Sequence, residues 1–173
     1  MVSMLQHALA SIEPLIAAYG AVVIFGVIYL ESFGVPLPGE SALVASAVLA
    51  TRGDLSMPTV LAAAWAGAVL GDTTGYTIGR FGGRPLLLRV GPWLGLTGKR
   101  FERLSALFRR RGILVVVAAR FIVVLRQLNG LVAGSLDMPF RRFVAANVVG
   151  SGLWVGVWGG GSYVFGDWIK AYM

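Results

Sequence analysis

The sequence contains no cysteine and a single histidine, His7, among its 173 residues. Without cysteine there is no disulfide, no thiolate metal ligand and no cysteine nucleophile. One histidine cannot build a histidine metal cluster, and it lies far in sequence from Ser41 and Ser46, whose hydroxyls would need a base to act as nucleophiles. The sequence therefore excludes zinc and thiol chemistry, and we expect no enzymatic activity, no cofactor and no bound metal.

Charged residues are also scarce, at 13% of the chain, whereas 57% of the residues are hydrophobic. A soluble domain has about a quarter of its residues charged, so this chain lacks the polar surface that water requires. The composition predicts an integral membrane protein forming a single all-α domain over residues 1–173. The remaining charges are unequal, with 15 Lys and Arg against 8 Asp and Glu and a net charge of +7.

The hydropathy pattern of residues 14–80, the first repeat unit, predicts a helical hairpin followed by a spanning helix. Residues 14–30 carry no charge but are marginal for a span, which needs about 20 apolar residues. The second arm, residues 41–51, is too short to span. The break between the arms contains Pro36, Pro38 and Gly39. Two short arms around such a break predict a re-entrant hairpin, whose irregular backbone must be covered by protein or water. Residues 55–79 are long enough to cross.

The linker, residues 81–111, is strongly basic. From Arg80 to Arg111 nine positive charges stand against Glu102 alone, which predicts a cytoplasmic location by the positive-inside rule. Phe101, Leu104 and Phe108 fall on one helical face, so we expect an amphipathic helix in the headgroup layer. A solvated basic linker is the alternative. Nucleic-acid binding is not expected, because the arginines directly flank membrane segments.

The second repeat unit, residues 112–168, follows the same plan. Its first part, residues 112–136, is apolar but is interrupted by Arg120 and Arg126 and then by Asn129 and Gly130. These interruptions favour a second hairpin over a clean span. Residues 143–166 carry no charge and predict the second spanning helix.

A shift of 81 positions superposes the two units. It aligns Met-Pro at residues 57–58 with Met-Pro at residues 138–139. It also aligns glycines that recur every four residues, Gly71, Gly75 and Gly79 with Gly152, Gly156 and Gly160. Small residues at this spacing let helix backbones approach closely, so we interpret these glycines as packing residues. The packing can lie within one chain or between chains, which leaves a homo-oligomer possible.

One crossing per unit turns the second unit upside down relative to the first, which predicts an inverted repeat of the kind found in secondary transporters. This topology places Arg141 and Arg142 on the same side as the basic linker and leaves only Arg52 and Lys170 on the outer side. In the competing topology both hairpin arms span the membrane, which moves Arg141 and Arg142 outside and weakens the positive-inside balance.

Four charges fall inside the predicted hairpins, and the two hairpins carry opposite signs: Glu31 and Glu40 in the first, Arg120 and Arg126 in the second. An ionisable side chain at the bilayer centre costs several kcal/mol, so such residues pair or line a watery path. Arginine suits bidentate capture of phosphate, and a desolvated glutamate can take up and release protons. This pattern indicates a proton-linked carrier of an anionic substrate. Structural ion pairs are the alternative, and Asp72 is either a proton relay or the partner of a nearby arginine.

Several motifs resemble the DedA family of bacterial inner-membrane proteins, relatives of the eukaryotic lipid scramblases with the VTT domain. They are residues 31–40, 71–80, 119–126, 133–134 and 147–150, with Met138 and Phe143. The resemblance implies two opposed re-entrant hairpins and proton-driven movement of lipids, with undecaprenyl phosphate or phosphatidylethanolamine as substrate. It also implies that Glu31 with Glu40, and Arg120 with Arg126, are the important pairs.

The chain departs from the family pattern after Arg-Phe-Ile, where Pro-Gly is often found and this chain has two valines, residues 123–124. We therefore expect the second hairpin to break later, at Asn129 and Gly130. The leading interpretation is a lipid flippase in which Arg120 and Arg126 bind the head group. Protons would be carried by Glu31, Glu40 and Asp72. A proton-coupled ion antiporter and a structural membrane partner remain alternatives.

Overall fold

The computed structural model describes residues 19–90 and 99–165, and within them the chain is helical with no strand. The helices are α1 (Tyr19–Ser32), α2 (Gly39–Thr51), α3 (Met57–Val90), α4 (Lys99–Ala119), α5 (Val123–Ser135) and α6 (Phe140–Val155). A π-helical turn, Gly156–Gly160, continues α6 to Phe165. The predicted all-α class is confirmed. Predictions on His7, Lys170 and residues 14–18, 91–98 and 166–168 lie outside the described residues.

The first helix break lies between α1 and α2. Residues 33–38 are irregular, and Gly34 has a φ of +111°, which glycine adopts without steric cost. Pro36 and Pro38 lie in this segment, and Gly39 is the first residue of α2. Proline cannot donate a backbone hydrogen bond to continue α1, yet it is tolerated just ahead of a new helix.

Close contacts at helix glycines show the direction of the first three helices. An added Cβ at Gly20 would lie 2.6 Å from Leu55, at the entry to α3, and one at Gly71 would lie 2.4 Å from the Tyr29 carbonyl oxygen. Residue numbers therefore rise together along α1 and α3, so these helices run in the same direction. The intervening helix α2 must return the chain to the end where α1 began.

The second break lies at residues 120–122, and the prediction of a break at Asn129 and Gly130 is wrong. Ile122 is extended, with φ −119° and ψ 112°, whereas Asn129 and Gly130 lie inside α5. Tertiary contacts override the turn preference of an Asn-Gly pair. The Asn129 side chain donates a hydrogen bond to the Val116 carbonyl oxygen at 3.0 Å, and a Cβ at Gly130 would lie 2.1 Å from the Asp72 carbonyl oxygen.

The last three helical segments are oriented by similar contacts. The bond from Asn129 to Val116, with Gly112 beside Met138, shows that α5 runs back along the second half of α4. A Cβ at Gly150 would lie 3.3 Å from the Val117 Cα, so α6 packs against that half of α4. The two run in the same direction, because α5 is antiparallel to α4 and parallel to α3, and α6 is antiparallel to α3.

The long helices α3 and α6 pack against each other and run in opposite directions. Trp65 Nε1 donates a hydrogen bond to the Val148 carbonyl oxygen at 3.1 Å, and Asn147 Nδ2 donates one to the Val69 carbonyl oxygen at 3.0 Å. Later residues of α3 therefore contact earlier residues of α6, so the two helices are antiparallel. By contrast, the contacts of Gly130 with Asp72 and of Gly134 with Tyr76 orient α5 parallel to α3.

Two apolar clusters hold the helices together. One joins α3, α4, α5 and α6 and includes Tyr76, Val116 and Phe143. The other joins α1, α2, α3 and α6 and includes Leu43 and Trp154. Each cluster thus packs helices of one repeat unit against the long helix of the other.

The predicted packing glycines of α3 lie closer to their neighbours than the predicted packing glycines of the second repeat unit do. An added Cβ would lie 2.4 Å from the Tyr29 carbonyl oxygen at Gly71, 3.4 Å from the Leu131 nitrogen at Gly75 and 2.1 Å from the Leu131 carbonyl oxygen at Gly79. Gly152 makes only an ordinary contact, 3.7 Å from Trp65 Nε1.

Gly156 and Gly160 do not pack within the described part of the chain, because nothing there lies within 4 Å of an added Cβ, and their packing between chains stays a prediction. Both residues belong to the π-helical turn, where the i→i+5 pattern shifts the helix register. Gly159 faces the neighbouring helices instead, with its added Cβ 2.7 Å from Leu61 Cδ2.

The polarity of the molecule is inverted relative to that of a soluble protein. Large apolar side chains are exposed, among them Val22, Leu70, Phe81, Leu153 and Phe165, whereas Asp72, Arg120 and Arg126 are buried. Exposed apolar surface on this scale marks contact with a membrane or a partner. Among the described helices Phe140–Phe165 is long and apolar enough to cross a bilayer, while α1 and α2 are apolar but shorter.

Candidate functional site

A cluster of five ionisable residues lies at the two helix breaks and on α3. We call it the charge cluster. Its members are Glu31 of α1, Glu40 of α2, Asp72 of α3, Arg120 of the second break and Arg126 of α5. Four of the five are at most 3% exposed, and the side chain of Glu40 is 33% exposed. The structure thus brings together all five charged residues that the sequence singled out.

Arg126 bridges the two sides of the first break. Its Nη2 donates a hydrogen bond to Glu31 Oε1 at 2.7 Å, and its Nη1 donates one to Glu40 Oε1 at 3.1 Å. The guanidinium also lies over the Trp154 ring, with Cζ 4.5 Å from the ring centroid, a cation–π contact. One side chain of α5 therefore holds the ends of α1 and α2 together.

Local chain geometry accounts for the meeting of the two glutamates. Glu31 lies in the last turn of α1, and Glu40 is the second residue of α2. A Cβ at Gly39 would lie 2.1 Å from Glu31 Oε2, so the absence of a side chain at this position makes room for the Glu31 carboxylate. The first break consequently places the carboxylates of Glu31 and Glu40 within hydrogen-bond distance of the Arg126 guanidinium.

Arg120 is held by a second set of polar groups. Its Nη2 donates hydrogen bonds to Asp72 Oδ2 and to Asn147 Oδ1. Asn147 is anchored in turn, because Nδ2 donates to the Val69 carbonyl oxygen at 3.0 Å and Ser151 Oγ donates to the Asn147 carbonyl oxygen at 2.6 Å. Arg120 thus pairs with Asp72 rather than with the glutamates. The two sets still form one cluster, since Arg126 acts electrostatically on both Asp72 and Arg120.

The charge cluster contains buried polar atoms that no described residue satisfies. They are Nε and Nη1 of Arg120, Nε of Arg126 and Oδ1 of Asp72. A buried polar atom without a partner costs about 1–3 kcal/mol, and such atoms in native proteins call for a specific explanation. Three of the four are guanidinium N–H donors. The unsatisfied groups are therefore those that water or an anionic oxygen would complete.

The charges of the cluster do not balance when all its members are ionised. Three carboxylates face two guanidiniums, which leaves an excess of one negative charge. The four fully buried members, two carboxylates and two guanidiniums, balance one another, so the excess negative charge corresponds to the partly exposed Glu40. An unbalanced charge among apolar helices favours a species that neutralises it. No group of three His, Asp or Glu residues in the described ranges could hold a metal ion.

Two members of the site were not predicted as site residues, although Asn147 lies in the 147–150 motif of the family resemblance. Asn147 is the one amide in the charge-free run of residues 143–166, and this isolated polar side chain was a usable signal. Trp154 gives no such signal, because aromatic residues are common at membrane helices and the cation–π contact depends on the fold.

Replacing Asn147 by leucine should lower stability by about 1–3 kcal/mol, because it removes a partner from the buried Arg120 guanidinium. Thermal unfolding of the purified chain in neutral detergent, followed by fluorescence, measures this effect. Val149→Leu, at an exposed position of the same helix, is the control. An Asn147→Leu variant as stable as the Val149→Leu variant would show that Asn147 does not support Arg120.

Comparison with known proteins places the chain in a family. Residues 37–164 match the VTT domain. An uncharacterized membrane protein of Mycobacterium tuberculosis is 42% identical over 159 residues, which cover 86% of this chain and 68% of that relative. An uncharacterized membrane protein of Synechocystis is 38% identical over 149 residues, with the same two coverages. The inner membrane protein YghB of Escherichia coli is 32% identical over 157 residues, covering 88% of this chain and 71% of YghB.

No solved structure matches the chain. The chain belongs to the VTT-domain (DedA) family of membrane proteins. The resemblance seen in the sequence motifs and the membrane class inferred from composition are both confirmed.

Proposed function

We propose that the chain is a proton-coupled lipid translocase of the bacterial inner membrane. Its substrate is an anionic or zwitterionic phospholipid, or a polyprenyl phosphate such as undecaprenyl phosphate. The observation that carries the proposal is the charge cluster, in which buried guanidinium donors lack partners beside carboxylates in excess. Family membership supports the same function, because the DedA resemblance implies proton-driven movement of lipids.

The proposed membrane arrangement is an inverted repeat of two re-entrant hairpins, α1–α2 and the second half of α4 with α5, each followed by a crossing helix. Helix directions support it. In each unit the first hairpin arm runs parallel to the crossing helix, while α3 and α6 are antiparallel to each other. Inverted repeats of this kind place broken helices at the bilayer midplane. The proposal puts residues 81–111 on the cytoplasmic side.

Proton and head group are proposed to exchange at Arg126. Both of its terminal nitrogens are occupied by glutamates, so a phosphate must compete with two carboxylates. Protonation of Glu31 or Glu40 removes a competing charge and frees part of the guanidinium for a phosphate oxygen. Glu40 is the more exposed glutamate and therefore the entry point for the proton. Release of the head group lets the ion pair form again and returns the proton.

Arg120 offers the second binding group. Its Nε and Nη1 are buried without a described partner, so they can donate to a phosphate oxygen while Nη2 keeps its bonds to Asp72 and Asn147. Protonation of Asp72 would release Nη2 as well. Asp72 thereby couples a second proton site to the same head group.

Leaflet-resolved transport in proteoliposomes tests the function. Labelled undecaprenyl phosphate and phosphatidylethanolamine are supplied in turn, with and without a pH gradient. We expect one lipid to move in response to the gradient, and Glu40→Gln to reduce that rate to the rate of protein-free liposomes. Glu102→Gln, an exposed glutamate of α4 outside the cluster, should transport as wild type does. Transport by Glu40→Gln at the wild-type rate would overturn the role of Glu40, and no movement of either lipid would overturn the translocase.

The excess carboxylate also supports a second candidate, a proton-coupled ion antiporter. This function needs the charge cluster but no lipid substrate. The same proteoliposomes, loaded with a pH-sensitive dye and given sodium or potassium gradients, distinguish the two. Cation-driven proton movement without lipid movement would favour the antiporter.

A further inference from the structure

A separate cavity of about 450 Å³ lies between the middle of α4 and the turn that joins α5 to α6. Gly112 lies on one side of it, and Met138 on the other. It is at the opposite end of the α4–α5 pair from the second break. Gly112 is eight helical positions before Arg120, which corresponds to about 12 Å along the helix axis. The cavity is therefore distinct from the charge cluster.

Two departures from regular helix lie at this cavity. Helix α4 is interrupted at Arg111, where φ is −138° and ψ is 35°. In the facing turn Asp137 has a φ of +58°, in the left-handed region. Across the gap Gly112 makes only ordinary contact with Met138, whose sulfur would lie 3.4 Å from an added Cβ. The neighbouring side chains leave the cavity open.

The rim of the cavity is basic, and we call the site the arginine-rimmed cavity. Arg110, Arg111 and Arg142 line it, and all three are exposed. The one carboxylate among its lining residues, Asp137, is engaged in an ion pair with Arg80. Three arginines therefore line the opening, and none of the described lining residues offers a free carboxylate. Guanidinium groups bind phosphate oxygens in bidentate fashion, so this rim suits a phosphate.

The remaining wall is apolar. Phe108 and Met138 are buried at the cavity, while Ile113 and Leu114 are 49% and 62% exposed beside it. A free phosphate ion would gain nothing from these side chains, whereas a lipid presents a phosphate and a hydrocarbon chain together. The volume lies within the range of about 300–1,000 Å³ typical of small-molecule sites.

We propose that the arginine-rimmed cavity binds an anionic phospholipid, with the phosphate between Arg111 and Arg142 and part of an acyl chain against Phe108 and Met138. The site is separate from the charge cluster and does not require that the chain transport lipid. Its occupant is a lipid of the membrane leaflet that lies next to the basic linker, residues 81–111.

Binding of phosphatidylglycerol with a fluorescent acyl chain to the purified full chain in neutral detergent tests the site. Unlabelled phosphatidylglycerol, phosphatidylcholine and inorganic phosphate are the competitors. We expect only phosphatidylglycerol to displace the probe at matched concentration. The double variant Arg111→Ala/Arg142→Ala should bind the probe about ten-fold or more weakly, because it loses charge-assisted hydrogen bonds to the phosphate.

Arg141→Ala is the matched control, because Arg141 is exposed and adjacent to Arg142 but does not line the cavity. It should keep the wild-type affinity. An equal loss in Arg141→Ala would reveal a diffuse basic surface, and displacement by inorganic phosphate would reveal an anion site; either result overturns the proposal. Unchanged binding by the double variant overturns it as well. Since the readout is occupancy, failure of the transport assay leaves this test unaffected.

Discussion

Replacing Arg126 by alanine should abolish lipid transport and destabilise the protein by about 3–5 kcal/mol, the range measured when one partner of a buried ion pair is removed. Glu31 and Glu40 would lose their shared guanidinium, and Glu31 would remain buried without it. Trp154 would also lose its cation–π contact. Thermal unfolding in detergent measures the stability loss, and the proteoliposome assay measures the transport.

A charge-matched double variant separates folding from function. Glu31→Gln/Arg126→Gln removes one charge of each sign, so the cluster keeps two carboxylates, Glu40 and Asp72, against Arg120. We expect this variant to regain much of the stability lost by Arg126→Ala while remaining inactive. If it transports lipid at the wild-type rate, the ion pairs of Arg126 are structural and the head group binds elsewhere. Arg126→Lys keeps the charge without the planar fork. This variant should fold, but it should transport lipid more slowly than the wild type.

The charged residues of this site could be predicted from sequence because the membrane makes them expensive. In a chain with so few charges, Glu31, Glu40, Arg120 and Arg126 stood out inside apolar segments, and an intramembrane charge needs a partner or a function. The helical class could be predicted from the apolar composition. The first break could be predicted because Pro36 and Pro38 cannot continue a helix.

The partners within the cluster could not be predicted. The sequence left Asp72 as either a relay or an ion-pair partner, and its pairing with Arg120 depends on the depth at which α3 passes the second break. That break was misplaced because two valines stand where the family often has Pro-Gly, which moved the expected break to the turn-forming pair Asn129 and Gly130. The sequence does not show that another helix packs over this pair. Gly130 is required by the close approach of α3, not by a turn.

The glycine repeat shows the same limit and yields a matched pair of substitutions. Gly79 and Gly160 are equivalent under the 81-residue shift, yet their surroundings differ. A Cβ at Gly79 would lie 2.1 Å from the Leu131 carbonyl oxygen and 3.0 Å from the Ser135 nitrogen, both backbone atoms. No flexible side chain can yield there, so α3 and α5 would have to separate.

We therefore expect Gly79→Ala to destabilise the protein by about 3 kcal/mol or more, at or above the usual range for overpacking, and to reduce the yield of folded chain. Separation of the helices would also strain the hydrogen bond from Ser135 Oγ to the Gly79 carbonyl oxygen, now 3.1 Å long. Gly160→Ala meets nothing within 4 Å in the described part of the chain, and should unfold at the wild-type temperature or slightly above it, because alanine favours helix. Thermal unfolding of both variants in detergent makes the comparison. A stable Gly79→Ala variant would mean that α3 and α5 are not in close backbone contact, and an unstable Gly160→Ala variant would mean that the outer face of α6 packs against a second copy of the chain.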